Sequence, residues 1–224
     1  MEKQYDTVIR ISSAKAELVI EQERQGIVAR KTLTPNTFAR CVLGSRFDET
    51  VHASGFLPEN CVSVTLLGES KVYCLRYPER WADISYYGTE YPHFPLPQLV
   101  FALKYHPESG KVIGVWLGVA AAEKLTPDST MFVYPFSNVY GDDRVCLGNN
   151  ALPIYKDATR LHTLPRLVLS FPNNNDMFRD SNNRLGLGYR ELLEHLKDKQ
   201  PDYYYSDVLI PNGKTLQDFI SSRR

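Results

Sequence analysis

Residues 134–148 form the most informative stretch of the chain. They read Tyr134-Pro135-Phe136-Ser137-Asn138-Val139-Tyr140-Gly141-Asp142-Asp143-Arg144-Val145-Cys146-Leu147-Gly148. An apolar run ends at a proline, and an asparagine and a short acidic turn follow. Cys146, eight residues after Asn138, stands between two aliphatic residues. A cysteine and an asparagine that share a turn are a candidate reactive pair, and the chain on either side shows how they would be held.

Three apolar segments precede this stretch and predict strands over residues 99–105, 111–117 and 129–134. A Pro-Glu-Ser-Gly turn at residues 107–110 joins the first two, so we expect an antiparallel meander. Pro135 cannot donate a hydrogen bond within a central ladder. The chain should therefore leave the sheet there and carry Asn138 and Cys146 on a loop, where a rigid scaffold often presents reactive residues.

The first third of the chain has the pattern of a β-rich region. Residues 16–21 and 26–31 predict one hairpin, residues 62–67 and 71–77 predict a second, and residues 81–87 predict a further strand. Between the hairpins, Thr34 and Pro35 mark a helix start and Gly44 a helix end. Residues 91–97 contain three prolines and predict a stiff connector. We place a domain boundary there, which gives an N-terminal region over residues 1–92 and a second domain over residues 93–224.

The C-terminal third is predicted to be loop-rich and then helical. Asn173-Asn174-Asn175 and Ser181-Asn182-Asn183 mark turns in the polar segment 149–184. Apolar residues at helical spacing then predict a helix whose buried face is Tyr189, Leu192, Leu193 and Leu196. A terminal helix is expected over residues 215–221. The predicted fold class is α+β.

Composition narrows the classes of function. The chain has 224 residues, 43% of them hydrophobic, and a formal net charge of zero, so no basic excess points to a nucleic-acid partner. The longest apolar run, residues 112–122, is far short of the roughly 20 residues of a membrane-spanning helix. The N-terminus has no apolar signal-peptide core, so we expect a cytoplasmic protein. The four cysteines form no C-x-x-C pair, and we predict neither a metal site nor a cofactor.

The central stretch could carry acyl transfer between thioesters, which needs a thiolate nucleophile and a donor for the tetrahedral oxyanion. Cys146 would supply the sulfur and Asn138 the amide donor. No histidine lies nearby in the sequence, which suits an already activated thioester and argues against a Cys-His protease. His162 or His195 could approach in space, so a thiol hydrolase stays an alternative. The other alternative is that Cys146 is a buried thiol beside a turn asparagine.

The stretch also resembles the active-site segment of the ubiquitin-conjugating (E2) fold, whose pattern is His-Pro-Asn, aliphatic, Tyr, a turn, aliphatic, Cys and Leu. The residues that match in register are Asn138, Val139, Tyr140, Val145, Cys146 and Leu147. With residues 94–103 and 136–153, the chain is similar to the prokaryotic E2-like family D over roughly residues 70–180. The best-known members of that family are the protein B components of PRTRC systems.

The resemblance implies a fold, an activity and partners. The fold would be an E2-like antiparallel β-meander with flanking helices, preceded by an N-terminal β-rich extension. A ThiF-type E1 enzyme would pass a ubiquitin-like protein to Cys146 as a thioester, and a lysine or another nucleophile would then take it. A JAB-type isopeptidase is a further expected partner. A catalytically inactive E2-like scaffold in a plasmid or defence-system complex is the alternative from another class.

The chain departs from the E2 pattern at several positions. Phe136 stands where most eukaryotic E2 enzymes have histidine, and we expect it to anchor the active-site loop by packing, with Tyr140 also supporting the loop. The tryptophan expected after the cysteine is absent. No acidic group for the acceptor lysine is assigned among Asp142, Asp143 and Asp176, each of which also suits a surface turn.

Overall fold

The computed structural model describes residues 6–12, 17–24, 27–44, 55–78, 80–121 and 124–223. It divides into two compact units, Met1–Ala53 and Ser54–Arg224. The boundary predicted at residues 92 and 93 therefore falls inside the second unit. The reason is strand pairing: a strand before that point, Ser70–Tyr77, lies antiparallel to one after it, Leu99–His106. Local composition marks a proline-dense segment but does not show which strands pair across it.

The N-terminal unit is a three-stranded antiparallel sheet followed by a helix. Its elements are β1 (Asp6–Ile11), β2 (Leu18–Arg24), β3 (Ile27–Leu33) and α1 (Pro35–Gly44). The predicted hairpin is confirmed as β2 and β3, and β1 adds a third strand against β2. The predicted helix start is also confirmed, since the Thr37 N–H donates to Thr34 Oγ1 at 3.2 Å. The N-terminal β-rich extension is therefore present.

The second unit is built on a six-stranded sheet in the order β11-β10-β9-β8-β5-β4. Its strands are β4 (Cys61–Leu67), β5 (Ser70–Tyr77), β8 (Leu99–His106), β9 (Lys111–Ala120), β10 (Thr130–Phe132) and β11 (Pro211–Thr215). The predicted meander is confirmed as β8, β9 and β10, which are consecutive antiparallel neighbours. The third strand is shorter than predicted because the chain leaves the sheet after Phe132, before Pro135.

A separate two-stranded ribbon consists of β6 (Trp81–Tyr86) and β7 (Thr89–Pro95). The proline-dense connector predicted at residues 91–97 is therefore largely a strand. Each strand of a two-stranded ribbon has one unpaired edge, so Pro92 and Pro95 are tolerated without a missing ladder hydrogen bond.

Helices cover both faces of the six-stranded sheet. They are α2 (Leu164–Leu169), α3 (Tyr189–Leu196) and α4 (Leu216–Ser221), with 3₁₀ turns at Ala158–Thr163 and Asp180–Asn182 and a π-helical turn at Tyr204–Val208. The larger core, which includes α2 and α3, packs on residues such as Leu75, Phe101 and Leu103. The smaller core lies on the opposite face, where Phe219 of α4 packs with Cys74 and Ala102.

This two-sided burial explains the near-continuous apolar runs of β5 and β8, because successive side chains point to opposite faces and both faces are covered. The fold is mixed α+β with mostly antiparallel strands and is consistent with an E2-like architecture, as predicted. In the part of the chain that the structure describes, no helix is long and apolar enough to cross a membrane.

Candidate active site

The predicted reactive pair lies on a short β-ribbon over residues 138–146. The Cys146 N–H donates to the Asn138 carbonyl at 2.8 Å, and Val139 forms an antiparallel bridge with Val145. The Tyr140 N–H donates to the Arg144 carbonyl at 2.9 Å and closes the turn. Asn138 has a φ of 63°, a left-handed conformation that asparagine tolerates better than most residues. The loop expected from Pro135 is thus a defined ribbon whose ends are Asn138 and Cys146.

The ribbon is attached to the edge of β9. The Val145 N–H donates to the Val115 carbonyl at 2.8 Å, and the Leu117 N–H donates to the Asp143 carbonyl at 2.9 Å. The same edge of β9 pairs with the short strand β10 farther along, at Val119. Because β10 ends early, the rest of this edge is free to hold the ribbon. The central strand β9 therefore determines where Cys146 lies.

Cys146 is half-buried, whereas Cys74 is buried within the sheet. Burial raises the pKa of the Cys74 thiol to about 12, so this group stays protonated and inert at neutral pH. Desolvation also raises the pKa of Cys61, which is half-buried and donates to the Ser63 carbonyl. Of the cysteines in the second unit, Cys61, Cys74 and Cys146, the last is the one that lies on the ribbon.

A narrow cleft of about 20 Å³, enough for roughly one water molecule, is lined by Cys146 and Asn138. Its other walls are mainly apolar or aromatic and include Leu117, Tyr134, Phe136 and Tyr189. A larger groove of about 410 Å³ borders the ribbon through Tyr140 and Asp143, and Arg179 and Lys214 also line it.

The Asn138 side chain is held by the loop after α2. Its Nδ2 donates to the Pro172 carbonyl at 3.0 Å and lies 3.5 Å from Asn173 Oδ1. The Asn138 N–H also makes a long contact, 3.4 Å, to the Asp176 carbonyl. The structure therefore brings the Asn138 backbone to Cys146, while the Asn138 amide group is engaged with residues 172 and 173.

Phe136 is 3% exposed and packs in an aromatic cluster below the ribbon. Its ring meets Phe94, Tyr134 and Tyr204 edge-to-face, with centroid distances of 5.9, 5.4 and 6.1 Å. Such contacts add about 0.5–1.5 kcal/mol each to the free energy gained from burial. Phe136 lies where a loop anchor is needed, two residues before Asn138.

Asn173 is a site residue that the sequence marked only as part of a turn. Its Oδ1 accepts from Ser137 Oγ at 3.0 Å, and its Nδ2 donates to the Ser85 carbonyl at 3.2 Å. The Asn173 N–H donates to the same carbonyl at 2.8 Å. One side chain thus joins the β6–β7 ribbon to the segment before Cys146. The run of three asparagines was the available signal, because asparagine can bond backbone groups on both sides of a turn.

The turn of the ribbon is held by two residues that flank the C-terminal helix α4, Arg223 and Lys214, which the sequence did not connect with the site. Arg223, 5% exposed, donates through Nη1 to the Asp142 carbonyl at 2.7 Å and through Nη2 to the Asp143 carboxylate. Lys214 Nζ lies 3.4 Å from the same carboxylate. The Arg223 guanidinium stacks over the Phe219 ring at 4.3 Å. No local pattern links residues 80 positions apart, so only the folded chain shows this clamp.

The acidic residues considered for the acceptor lysine make contacts of their own. Asp142 Oδ1 accepts from the Arg144 N–H at 3.2 Å within the turn, and Asp143 is paired with Arg223 and Lys214. Asp176 Oδ2 accepts from Asn174 at 2.9 Å. These contacts fit turn and structural roles for all three.

Histidines occupy other parts of the second unit. His162 bonds the Thr159 carbonyl, and His195 bonds the Tyr203 hydroxyl. His93 stacks on Trp81, and no histidine among residues 55–78, 80–121 and 124–223 forms a hydrogen bond with Cys146. Within the same residues, no group of three or more His, Cys, Asp and Glu side chains is arranged to hold a metal ion.

Comparison with known protein families identifies the family of the chain. The sequence profile described as prokaryotic E2 family D matches residues 41–211, which is more than half of the chain. Comparisons with curated proteins and with solved structures return no match. The matched region contains the whole ribbon and the sheet edge that holds it. On this evidence, the chain belongs to prokaryotic E2 family D.

Proposed function

We propose that the protein is an E2-like transferase that carries a ubiquitin-like protein as a thioester on Cys146. The observation that carries this proposal is the position of Cys146, half-buried at the end of a ribbon that two hydrogen bonds attach to β9. A reactive thiol must be both accessible and precisely placed, and a half-buried cysteine on a hydrogen-bonded ribbon is compatible with both requirements. The family match covers this segment and supports the same conclusion.

In the first proposed step, the Cys146 thiolate attacks the thioester carbonyl of a ubiquitin-like protein bound to a ThiF-type E1 enzyme. A new carbon–sulfur bond forms at Cys146, and the E1 cysteine leaves as a thiolate. In the second step, an amine attacks the Cys146 thioester, a carbon–nitrogen bond forms, and the electron pair of the broken bond returns to Cys146. The amine gives its proton to water.

Asn138 is the proposed oxyanion donor for both steps. An amide nitrogen carries two hydrogens, and the Pro172 carbonyl takes one of them at 3.0 Å. The second faces only a long contact, 3.5 Å, to Asn173 Oδ1. A negatively charged oxygen is a stronger acceptor than a neutral amide oxygen, so the oxyanion would replace that contact. The groove beside Tyr140 has room for the extended tail of the carried protein.

A charging assay tests the proposal. The protein is mixed with its cognate E1, the ubiquitin-like protein and ATP, and the products are separated on a non-reducing gel. We expect an adduct that thiol removes, and Cys146→Ser should give a thiol-resistant, hydroxylamine-labile oxyester. Cys61→Ser is the matched control and should charge like the parent protein, because Cys61 bonds the Ser63 carbonyl on β4, outside the ribbon.

The opposite result is equally informative. If the E1 charges itself but transfers nothing to Cys146, the carrier function is wrong and an inactive E2-like scaffold is favoured. The hydrolase alternative has no support in the described residues, since none of their histidines bonds Cys146.

A further inference from the structure

The Tyr140 side chain contacts the Cys146 sulfur. Its hydroxyl donates to Cys146 Sγ at an oxygen–sulfur distance of 3.5 Å. Sulfur is larger than oxygen and carries more diffuse lone pairs, so its hydrogen bonds are longer than those to oxygen. The Tyr140 side chain is partly exposed, at 38% of its full accessibility, so the pair lies at the surface where a transferred group would arrive.

The ribbon itself holds the Tyr140 ring in place. The Tyr140 N–H bonds the Arg144 carbonyl across the turn, and the Arg144 guanidinium lies 5.1 Å from the ring centroid. A cation over an aromatic face at this distance is attractive even at an exposed site. Backbone pairing across the turn and the Arg144 contact with the ring therefore both favour a Tyr140 orientation in which the hydroxyl meets Cys146.

The protonation state of Tyr140 suits a donor. The hydrogen bond to Cys146 and then the negative charge of the Cys146 thiolate raise the pKa of Tyr140 above its usual range. A raised pKa favours the protonated phenol, so Tyr140 keeps its O–H at neutral and mildly alkaline pH. Asn138 Nδ2 donates to the Pro172 carbonyl and not to the sulfur, so Tyr140 is the donor to Cys146 Sγ while Asn138 stays the proposed donor to the oxyanion.

We propose that Tyr140 is a catalytic residue whose hydroxyl stabilises the Cys146 sulfur when the acyl group leaves it. This inference rests on the proposed carrier function. When an amine attacks the thioester, the carbon–sulfur bond breaks and its electron pair goes to Cys146 Sγ. Tyr140 donates its hydrogen bond to that developing thiolate and keeps its own proton, while the amine loses a proton to water. A stabilised thiolate is a better leaving group.

A small acyl probe tests this step without the E1 or the ubiquitin-like protein. In a Cys41→Ser, Cys61→Ser background, S-phenyl thioacetate transfers its acetyl group to Cys146 and releases thiophenolate. Peptide mapping confirms the site, and intact-mass measurements follow the first-order loss of acetyl to hydroxylamine. Tyr140→Phe keeps the ring over which Arg144 lies but removes the hydroxyl. We expect discharge to slow about tenfold, the usual effect of losing one hydrogen bond to a charged group at a partly exposed site.

Tyr87→Phe is the matched control. Tyr87 is 62% exposed, and loss of its hydroxyl should leave the rate of acetyl discharge from Cys146 unchanged. The two variants and the parent should also discharge at one common rate in 6 M urea, where the contact is lost. Equal discharge rates for folded Tyr140→Phe and the parent would overturn the inference, as would a difference that persists in urea. The two proposals can fail separately. If the E1 does not charge the parent protein but Tyr140→Phe still slows acetyl discharge tenfold, the carrier function is wrong and the role of the Tyr140 hydroxyl stands.

Discussion

The two ends of the Cys146 ribbon are stabilised by different kinds of interaction. The end near Asn138 is held by an aromatic cluster around Phe136 and by a neutral hydrogen bond that Ser137 donates to Asn173. The turn at Asp142 and Asp143 is held by a buried arginine. Burial of an aromatic ring stabilises without an accompanying desolvation penalty for charge, whereas a buried ion pair is favourable only while both partners remain. The conformation of the Asn138 end should therefore depend on how well its side chains pack, and that of the turn at Asp142 and Asp143 on the charge of its partners.

Phe136→Ala should have the largest effect, because it empties the centre of the aromatic cluster. We expect a loss of about 3–5 kcal/mol in the free energy of unfolding, measured by urea denaturation. Phe136→Leu retains most of the volume and should lose much less. In folded Phe136→Leu protein, Cys146 should react faster with iodoacetamide, since the ribbon end is less tightly packed.

Phe101→Ala provides the comparison for Phe136. Phe101 is fully buried, and its ring meets Tyr77 rather than the cluster under the ribbon. Phe101→Ala should lower the free energy of unfolding by a similar amount to Phe136→Ala. The milder Phe101→Leu should leave the alkylation rate of Cys146 unchanged. Equal alkylation rates for the two leucine variants would show that Phe136 has no special role at the site.

Arg223→Met tests the charged end and should cost about 3 kcal/mol, because the substitution leaves the Asp143 carboxylate with Lys214 as its remaining partner. Lysine at position 223 keeps the charge but lacks the second donor for the Asp142 carbonyl, so Arg223→Lys should restore part of the loss. Thermal unfolding measures stability, and the rate of Cys146 alkylation reports on the ribbon. We expect a faster alkylation rate in Arg223→Met.

Arg184→Met is the control for the arginine clamp. Arg184 also donates to two main-chain carbonyls, those of Ser206 and Leu209, but does not contact the ribbon. Its loss should lower the unfolding temperature without changing the reactivity of Cys146. If Arg223→Met and Arg184→Met change the alkylation rate of Cys146 equally, Arg223 affects Cys146 through the stability of the whole protein and not through the turn of the ribbon.

Asn173→Ala should give the smallest of these effects on stability, about 1–3 kcal/mol, because it leaves the Ser137 hydroxyl and the Ser85 carbonyl with fewer partners. Asn183 is a buried asparagine that bonds the Asp180 and Leu187 carbonyls away from the ribbon. Both alanine variants should lose stability, but Asn173→Ala alone should slow discharge of acetyl-Cys146, since it frees the segment that positions Asn138. If Asn173→Ala discharges acetyl from Cys146 at the rate of the parent protein, Asn173 does not contribute to the site.

Several features follow from the sequence alone, because they depend on local patterns. The apolar alternation of residues 99–105 and 111–117, with a turn between them, is enough to predict β8 and β9. Pro135 explains why the chain leaves the sheet, and the order Asn138-Val139-Tyr140 with Val145-Cys146-Leu147 points to the family that the profile match shows.

Other features needed the folded chain, because they join residues that are distant in sequence. Pairing between β5 and β8 joins residues on both sides of the proline-dense segment 91–97 in one compact unit, and the composition of that segment does not predict this pairing. Likewise, β10 is short and pairs with only part of the β9 edge. The ribbon forms its hydrogen bonds with another part of that edge, at Val115 and Leu117.

The residues that hold Cys146 in place show the same division. Chemical type singles out Cys146 and Asn138 in the sequence, since few other side chains supply a thiolate or an amide donor. The contacts of Asn173 and Arg223 cannot be predicted from the sequence, because no local pattern shows which distant groups an asparagine in a turn or an arginine after a helix will bond. The sequence determined which atoms could react, and the tertiary structure alone decided which residues hold them, because hydrogen-bond partners are selected by proximity in space.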